Sequence, residues 1–313
     1  MNRARGVGVG LTLVAGALLA NPAHAASIEL SGKQAYPESL SAAADGTLYV
    51  GSAGAGGVLK VAPGSLRAEQ WVAPAAFGSR SILGVFVDER RGLLWACSDD
   101  LTSSKIASPG SGATALKGFD LQGATGKVSV ALPGDDPFCN DIAIAADGSV
   151  YVSESTNGRV LKLSPDMKAF TVWVADKQLL DIDGIAFGAD GNLYANTYAG
   201  NGLFRIAVQH GSAGAIAKLA TPRALFHPDG MRTLSGNTFL MVEGAGKLDR
   251  ISVKGDQVQL QTLSESLLEP AGVARSGATV WVAETQISVL FDDKHTMVPK
   301  LPFRIVGLAL PPR

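Results

Sequence analysis

The sequence is poor in the residues on which many reactive sites depend. Its 313 residues include two cysteines and four histidines, and charged residues make up only 18%. Beyond the N-terminal segment, His210, His227 and His295 are scattered, and His227 lies two positions before Asp229. Neither cysteine has a neighbouring histidine that would activate a thiolate nucleophile. These absences argue against cysteine catalysis and against a zinc centre built from histidine and cysteine.

A basic excess and helical periodicity are also absent. The formal net charge is −1, and it becomes −3 when Arg3 and Arg5 are left out, so nothing attracts nucleic acid or anionic lipid. After the N-terminal segment, no long stretch repeats its apolar residues with a 3.6-residue period, which excludes a helical solenoid. The sequence is instead rich in glycine, with β-branched residues in short runs, which is typical of an all-β protein.

The N-terminus has the features of a secretory signal peptide. Arg3 and Arg5 precede an uncharged stretch, residues 6–20, and a small-x-small sequence ends at Ala25. The apolar run, about 15 residues, is short for a membrane span. We therefore expect residues 1–25 to be removed and residues 26–313 to form one periplasmic or secreted domain, monomeric and free of the membrane. The leader indicates a bacterial source, and an uncleaved anchor is the alternative.

Six copies of a β-hairpin pattern account for nearly all of the remaining chain. Each copy has an apolar segment, a turn such as Asp45-Gly46 or Asp147-Gly148, and a second apolar segment. The turn glycines recur at intervals of roughly 46, 56, 43, 45 and 41 residues, which is the period of a four-stranded propeller blade. We therefore predict an all-β fold, a six-bladed β-propeller with four-stranded blades.

Two segments need a separate account within this fold. Residues 27–30 and 303–308 are both expected in the sixth blade, because a propeller must join its ends to avoid exposed strand edges. The long second interval, residues 101–130, is rich in Ser, Gly and Ala and predicts an inserted loop near the third blade. Such a loop is either a lid or a plain surface loop.

The residue that begins each copy is an oxygen donor in four copies of six: Glu38, Asn140, Asp183 and Asp229. The inner strands of a propeller surround one channel, so these side chains should converge at one mouth. Like charges gathered there need protons or a cation, and carboxylate and amide oxygens are ligands for hard cations, Ca²⁺ first. The alternative is that these residues cap tight loops, as Asp-Gly pairs often do.

Three other positions recur with the copies. The position after the leading residue is glycine or serine in five copies but Asp141 in the third, and this lone carboxylate needs an explanation. The next position is apolar in every copy and predicts packing between blades. Glu154, Glu243 and Glu284 end the second strands on the same face, either as groups that support the site or as a solvated rim.

The two cysteines are expected on the same face of adjacent blades. Cys97 ends a second strand, and Cys139 immediately precedes the inner strand of the third copy. Export would place both in an oxidising compartment. A disulfide and two buried free cysteines are both compatible with the sequence, because the Cα separation depends on the fold.

Four motifs in this order resemble those of the propeller family that contains senescence marker protein (regucalcin), gluconolactonase and luciferin-regenerating enzyme. They are Glu38-Ser39, Asn140-Asp141, Asp183-Gly184 and Pro228-Asp229-Gly230-Met231. The resemblance implies that Glu38, Asp183 and Asp229 hold one divalent cation, usually Ca²⁺, with Zn²⁺ or Mn²⁺ also supporting activity. It further implies that Asn140 is a ligand or substrate contact and that Asp141 is the general base.

The resemblance also implies a small-molecule substrate, a lactone, that the cation polarises while Asp141 takes a proton from water. Two positions depart from the family pattern. Asp183 stands where an asparagine is usual, and it adds negative charge. Phe138 stands where sugar-lactone hydrolases of animal type have an arginine, and this phenylalanine either favours a less polar substrate at the mouth or simply packs the lid.

Two alternatives to an exported metal-dependent lactonase remain open at this stage. One is a non-catalytic propeller that binds a ligand or protein and uses a structural calcium. The other, a condensing enzyme like strictosidine synthase, has no support beyond the shared fold. The catalytic alternative requires Asp141 to face an open pocket, whereas the structural alternative predicts that Asp141 is buried and hydrogen-bonded.

Overall fold

The computed structural model describes residues 24–311. The predicted signal peptide, residues 1–25, lies outside this range except for its last two residues, and its cleavage stays a prediction. No helix in the described range is long and apolar enough to cross a membrane. The described chain is almost entirely β, with one short α-helix, α1 (Ile287–Leu290).

The strands form six four-stranded antiparallel sheets, so the predicted six-bladed propeller is confirmed. Blade 1 contains β2 (Pro37–Ala42), β3 (Leu48–Ser52), β4 (Val58–Val61) and β5 (Ala68–Val72). Blade 2 contains β6 (Ser81–Asp88), β7 (Leu93–Asp99), β8 (Ala115–Asp120) and β9 (Gly126–Ala131). Blade 3 contains β10 (Cys139–Ile144), β11 (Val150–Glu154), β12 (Arg159–Leu163) and β13 (Phe170–Ala175).

The last three blades repeat this arrangement. Blade 4 contains β14 (Ile182–Phe187), β15 (Leu193–Thr197), β16 (Gly202–Gln209) and β17 (Ser212–Lys218). Blade 5 contains β18 (Pro228–Ser235), β19 (Thr238–Glu243), β20 (Lys247–Lys254) and β21 (Gln257–Ser264). Blade 6 contains β22 (Pro270–Ser276), β23 (Thr279–Glu284), β24 (Phe303–Ala309) and the N-terminal β1 (His24–Leu30). The innermost strands contact one another around the ring, and they are β2, β6, β10, β14, β18 and β22.

The ring is closed by strands from both ends of the chain. In blade 6, β1 pairs antiparallel with β24, with Ile28 opposite Ile305. The prediction that both terminal segments lie in this blade is confirmed. Pairing of the two ends removes two strand edges that would otherwise be open to other chains.

Each inner strand has a register shift near its start. In β10 the shift falls between Cys139 and Ile142, and in β14 it falls between Ile182 and Ile185. Such irregularities release residues from the ladder and redirect their side chains. The shifts coincide with the leading residues of the six copies. The apolar residue two positions after each leading residue is buried in every blade: Leu40, Val85, Ile142, Ile185, Met231 and Val273.

A disulfide joins blades 2 and 3. Cys97 in β7 is bonded to Cys139 in β10, with a Cα–Cα distance of 5.2 Å across 42 residues of sequence. Both residues are fully buried. Of the two alternatives that the sequence allows, the structure has the disulfide. The cross-link fixes the chain immediately before Asn140.

The inserted loop is shorter than the composition predicts. Strands β8 and β9 occupy residues 115–120 and 126–131, and only residues 100–114 form an irregular insertion with a short 3₁₀ turn at Thr102–Ser104. The prediction of a loop over residues 101–130 was therefore wrong in its extent. The outermost strand β9 is half-exposed, so it accepts small and polar residues that also occur in loops, whereas β8 is buried in spite of its glycine and alanine.

Glycine is required where neighbouring inner strands approach each other. A Cβ atom on Gly184 would lie 2.5 Å from the carbonyl oxygen of Asp229, and one on Gly272 would lie 2.6 Å from that of Glu38. Both distances are shorter than real Cβ contacts, and the obstructing atoms belong to the backbone. The glycines that follow the leading residues are thus explained by the packing of the ring.

We expect Gly184→Ala to lower the free energy of unfolding by about 1–3 kcal/mol, because β14 and β18 would have to separate. Urea unfolding measures the change. Gly123→Ala is the control, since Gly123 lies in an exposed turn and its Cβ would approach nothing closer than 3.7 Å. Gly123→Ala should change the free energy of unfolding by no more than about 0.5 kcal/mol. Equal effects of the two substitutions would contradict this account of the ring.

Candidate active site

A cavity of about 410 Å³ opens at one mouth of the central channel. The four predicted oxygen donors, Glu38, Asn140, Asp183 and Asp229, all line it. They come from the starts of β2, β10, β14 and β18, and each is less than one-tenth exposed. The ring therefore brings together four residues that lie up to 191 positions apart in the sequence.

The donors are connected by hydrogen bonds. The Asn140 side chain donates to Asp183 Oδ2 at 3.1 Å and to Ser155 Oγ at 3.2 Å. Ser155 Oγ in turn donates to the carbonyl oxygen of Ile182 at 2.6 Å. The Asp183 and Asp229 carboxyl groups also interact, and the charge of Asp183 helps to raise the pKa of Asp229. Neighbouring carboxyl groups of this kind retain a proton unless a cation compensates their charge.

The pKa values of all three acidic donors are raised. Burial, together with the charge of Asp141, raises the pKa of Asp183 to about 7. Burial and the charges of Asp183 and Asp141 raise the pKa of Glu38 well above its usual range. Burial and the charges of Asp183 and Glu38 do the same for Asp229. Without a compensating cation, these carboxyl groups thus retain protons that exposed carboxyl groups lose.

The donor set fits a hard cation by its chemistry, although it is not assembled around one point. Within residues 24–311, no group of three or more His, Cys, Asp and Glu side chains has a ready-made metal-binding arrangement. Glu38 Oε2 is nevertheless buried without a hydrogen-bond partner. Mutually repelling carboxylates and an unpartnered buried oxygen are features that a divalent cation would relieve.

Asp141 lies apart from the cavity wall, in an ion pair. Its Oδ2 atom accepts from Arg232 Nη1 at 2.7 Å and from the backbone N–H of Ile185 at 3.1 Å. Asp141 is 3% exposed, and Oδ1 is buried without a partner. A general base must reach within about 3 Å of the proton that it takes. In this position Asp141 does not face the cavity, so its catalytic role stays a prediction.

Arg232 is the residue that the sequence analysis missed. From β18 its guanidinium reaches Ser39 Oγ at 3.1 Å and the carbonyl oxygen of Val85 at 3.2 Å, besides Asp141. It also lies over the Phe86 ring, 5.7 Å from the centroid. Arg232 therefore joins blades 1, 2, 3 and 5. Its position in the repeat could have indicated it, because no other copy has a charged residue there. The equivalent residues are Ser41, Phe86, Ala143, Ala186 and Ala274.

The lone carboxylate at position 141 is explained by this contact. Asp141 and Ser39 occupy the same column, and each accepts from the backbone N–H of the next inner strand and from Arg232. The two residues therefore support opposite sides of one guanidinium. The ion pair is nearly buried, with side-chain exposures of 13% for Arg232 and 5% for Asp141.

The three recurrent glutamates anchor loops. Glu154 accepts from the backbone N–H of Phe138 at 3.2 Å, and Glu284 accepts from that of Leu268 at 2.8 Å. Glu243 accepts from the backbone N–H of Phe226 in the same way. Each glutamate thus fixes the segment that leads into the inner strand of its blade. Among the sequence alternatives, support of the site fits better than a solvated rim.

His227 lies near the cavity but does not join the acidic cluster. Its ring stacks on that of Tyr198, with a centroid separation of 4.7 Å and an interplanar angle of 10°. Tyr198 itself lines the cavity. Phe138, the predicted substrate contact, also lines the cavity. Its role in substrate binding stays a prediction.

Comparison with solved structures shows the same fold in proteins of several activities. Luciferin-regenerating enzyme aligns with a TM-score of 0.65 and 14% identity, over 90% of this chain and 94% of that one. A gluconolactonase from Xanthomonas campestris aligns with a TM-score of 0.63 and 16% identity, over 90% and 89%. Virginiamycin B lyase from Staphylococcus aureus aligns with a TM-score of 0.61 and 17% identity, over 90% and 83%.

Comparison of the sequence itself gives no relative. No protein-family model matches it, and no curated protein matches it in sequence. The structural neighbours thus include members of the gluconolactonase and luciferin-regenerating group that the motifs resemble. At these identities the likeness establishes the propeller fold, and the reaction must be inferred from the residues of the site.

Removal of Arg232 should destabilise the ring strongly. We expect Arg232→Met to lower the free energy of unfolding by about 3–5 kcal/mol, because it leaves the Asp141 carboxylate buried and unpaired. Asp141→Asn should also destabilise, and the double variant should lose less than the sum of the two single losses. Urea unfolding of the four proteins measures this coupling. Strict additivity would contradict a bridging role for the ion pair.

The acidic cluster should make the metal-free protein less stable as the pH rises. The pKa of Asp183 is about 3.9 in an unfolded chain and about 7 in the folded protein. Between these values the folded state binds a proton that the unfolded state has lost, so the contribution is complete below pH 4 and lost above pH 7. Asp183→Asn should remove that part of the decrease.

Thermal unfolding at pH 5 and pH 8 in the presence of a chelator tests this expectation. Asp166→Asn is the control, because Asp166 is an exposed carboxylate with a lowered pKa, outside the cavity. The difference in Tm between the two pH values should shrink in Asp183→Asn and persist in Asp166→Asn. An unchanged difference in Asp183→Asn would show that the Asp183 carboxyl is ionised throughout.

Proposed function

We propose that this protein is a divalent-metal-dependent hydrolase that opens a lactone or related ester at the mouth of the propeller channel. The observation that carries the proposal is the buried cluster of Glu38, Asp183 and Asp229 on the wall of an open cavity. With Asp141 included, the cluster has four carboxyl groups, and the guanidinium of Arg232 pairs with Asp141 alone among them. This excess of negative charge suits a divalent cation, Ca²⁺ first, with Zn²⁺ or Mn²⁺ as substitutes.

In this proposal each residue of the cavity has a defined task. Glu38, Asp183 and Asp229 hold the cation, and Asn140 is a fourth ligand or a contact for the substrate carbonyl. A bound divalent cation supplies Lewis-acid polarisation of that carbonyl. Phe138 contacts the part of the substrate that is not attacked. The proposal draws support from the fold shared with a gluconolactonase and from the four motifs in family order.

The general base in this proposal is Asp141, as the family resemblance implies, and Asp141 would first have to leave its contact with Arg232. Asp183 also lines the cavity, but it does not serve as the base while it holds the cation, because a carboxylate ligand stays ionised. The pKa of about 7 for Asp183 belongs to the metal-free protein.

A non-catalytic propeller with a structural calcium is the second candidate. The observation that favours it is the burial and hydrogen bonding of Asp141, which this alternative predicted. Under this alternative the cation ties blades 1, 4 and 5 together at the channel mouth, and the cavity binds a ligand without turnover. Export of the protein to the periplasm or medium is proposed for both candidates, on the basis of the leader.

Metal content and lactone hydrolysis, measured on the same samples of mature protein, test the proposed function. We expect stoichiometric divalent metal and hydrolysis of at least one lactone class in the wild type. Both should be lost in Asp229→Ala, with at least a hundredfold decrease in kcat/KM. Asp147→Ala is the matched control, because Asp147 lies in an exposed turn, and it should retain both properties.

The outcomes separate the candidates. Stoichiometric metal without turnover would favour the structural calcium, and the absence of any bound metal would contradict both candidates. Asp141→Asn, assayed where it remains folded, identifies the base. Loss of kcat with unchanged metal affinity would assign that role to Asp141, whereas retained kcat would remove Asp141 from the reaction.

A further inference from the structure

The cavity is divided into a polar half and an apolar half. The oxygen donors of the leading column come from blades 1, 3, 4 and 5. In blade 2 the same column carries Leu83, which is 2% exposed and lines the cavity. Phe138 and Phe291 also line it, with their ring centroids 6.5 Å apart. The lactone-binding mouth therefore has a hydrophobic wall directly beside the carboxylates.

The Phe138 side of this wall is held rigidly. The Phe138 backbone N–H donates to Glu154 Oε1, and its carbonyl oxygen accepts from the N–H of Ser155 at 3.0 Å. The next residue, Cys139, is bonded to Cys97 in the neighbouring blade. A side chain on such a backbone is pre-organised, so binding to it requires little ordering.

The facing side comes from an insertion between β23 and β24. Helix α1 and Phe291 cover the cavity, and Ile287 and Phe291 point apolar atoms into its lining. Ser288 fixes the helix by donating from its N–H and its hydroxyl to the Glu269 carboxylate, at 3.0 and 2.7 Å. The Gln286 amide exchanges two hydrogen bonds with the backbone of Lys300 and closes the base of the insertion.

A polyhydroxylated ligand would fit this cavity poorly. Its hydroxyl groups would meet Leu83, Phe138 and Phe291, and polar groups buried without partners lose binding free energy. An apolar substituent would instead gain from burial against the same three side chains. The cavity, about 410 Å³, can hold both a small ring and an alkyl chain.

We propose, on the basis of the hydrolase function above, that the substrate is a lactone that carries an apolar alkyl substituent. Its carbonyl group faces Asn140 and the carboxylates, and its chain lies between Phe138 and Phe291. In the hydrolysis, the oxygen atom of a water molecule bonds to the carbonyl carbon, and the bond between that carbon and the ring oxygen breaks. The water protons end on the released hydroxyl group and on the carboxylate or buffer, so atoms and charge balance.

The test compares γ-lactones whose alkyl substituents increase from none to seven carbons. A methylene buried in an apolar site contributes about 0.8 kcal/mol, which corresponds to a factor of about four. We expect kcat/KM to rise by about three- to fourfold per methylene until the cavity is filled. Aldonolactones of similar ring size should be hydrolysed more slowly than the alkyl series.

Variants locate the effect in the apolar wall. Phe138→Ser and Phe291→Ser should each lower about tenfold the ratio of kcat/KM for the long-chain lactone to kcat/KM for unsubstituted γ-butyrolactone. Two variants are used because the residues belong to different loops, and a ratio of two substrates does not depend on the amount of folded enzyme. Val172→Ser, at a half-exposed position of outer strand β13, is the control and should match the wild type.

Binding is measured separately so that catalysis and recognition can fail independently. The probes are 5-alkyl-pyrrolidin-2-ones, lactams that replace the ring oxygen with N–H and resist hydrolysis, titrated calorimetrically. Tighter binding with longer chains and no hydrolysis of any lactone would support the apolar site and contradict the hydrolase. Hydrolysis that does not depend on chain length, or that is fastest with aldonolactones, would overturn the inference and leave the hydrolase standing. Equal affinities across the lactams would overturn it as well.

Discussion

The close approach of six inner strands around one channel is the constraint on which the rest of the structure depends. At most positions of contact only glycine fits, because a Cβ atom would meet the backbone of the next blade. The same approach places the leading residues of five blades, four of them oxygen donors, around one cavity. Acidic residues that are far apart in the sequence are thereby forced into mutual repulsion. The close packing of the ring is therefore also the cause of the electrostatic repulsion in the site.

Arg232 offsets part of this negative charge. Its guanidinium contacts atoms of three other blades and pairs with Asp141, so it acts both as a cross-brace and as a countercharge. Burial of an ion pair adds little stability by itself, but loss of one member leaves a charge without compensation. The remaining carboxyl groups keep raised pKa values, because burial and mutual repulsion favour their protonated forms.

The other half of the cavity follows from the loops rather than from the strands. The Cys97–Cys139 disulfide and the Glu154 anchor fix the entry to blade 3, and with it the Phe138 ring. An insertion in blade 6 supplies Phe291 from the opposite side. One scaffold thus combines acidic residues from its inner strands with aromatic residues from its loops, because loops can vary without disturbing the ring.

The sequence by itself determined the fold and the membership of the acidic cluster. Period, turn chemistry and hydrophobic alternation are local properties, so six blades, closure through both termini and the column of Glu38, Asn140, Asp183 and Asp229 could be predicted. Only the tertiary structure decided the partner of Asp141, the disulfide and the Phe138–Phe291 wall. These contacts depend on the distance and direction between side chains in different blades, and the one-dimensional pattern contains no such information. The extent of the insertion was misjudged for a related reason, since the small and polar residues of β8 and β9 resemble those of a loop until their pairing is known.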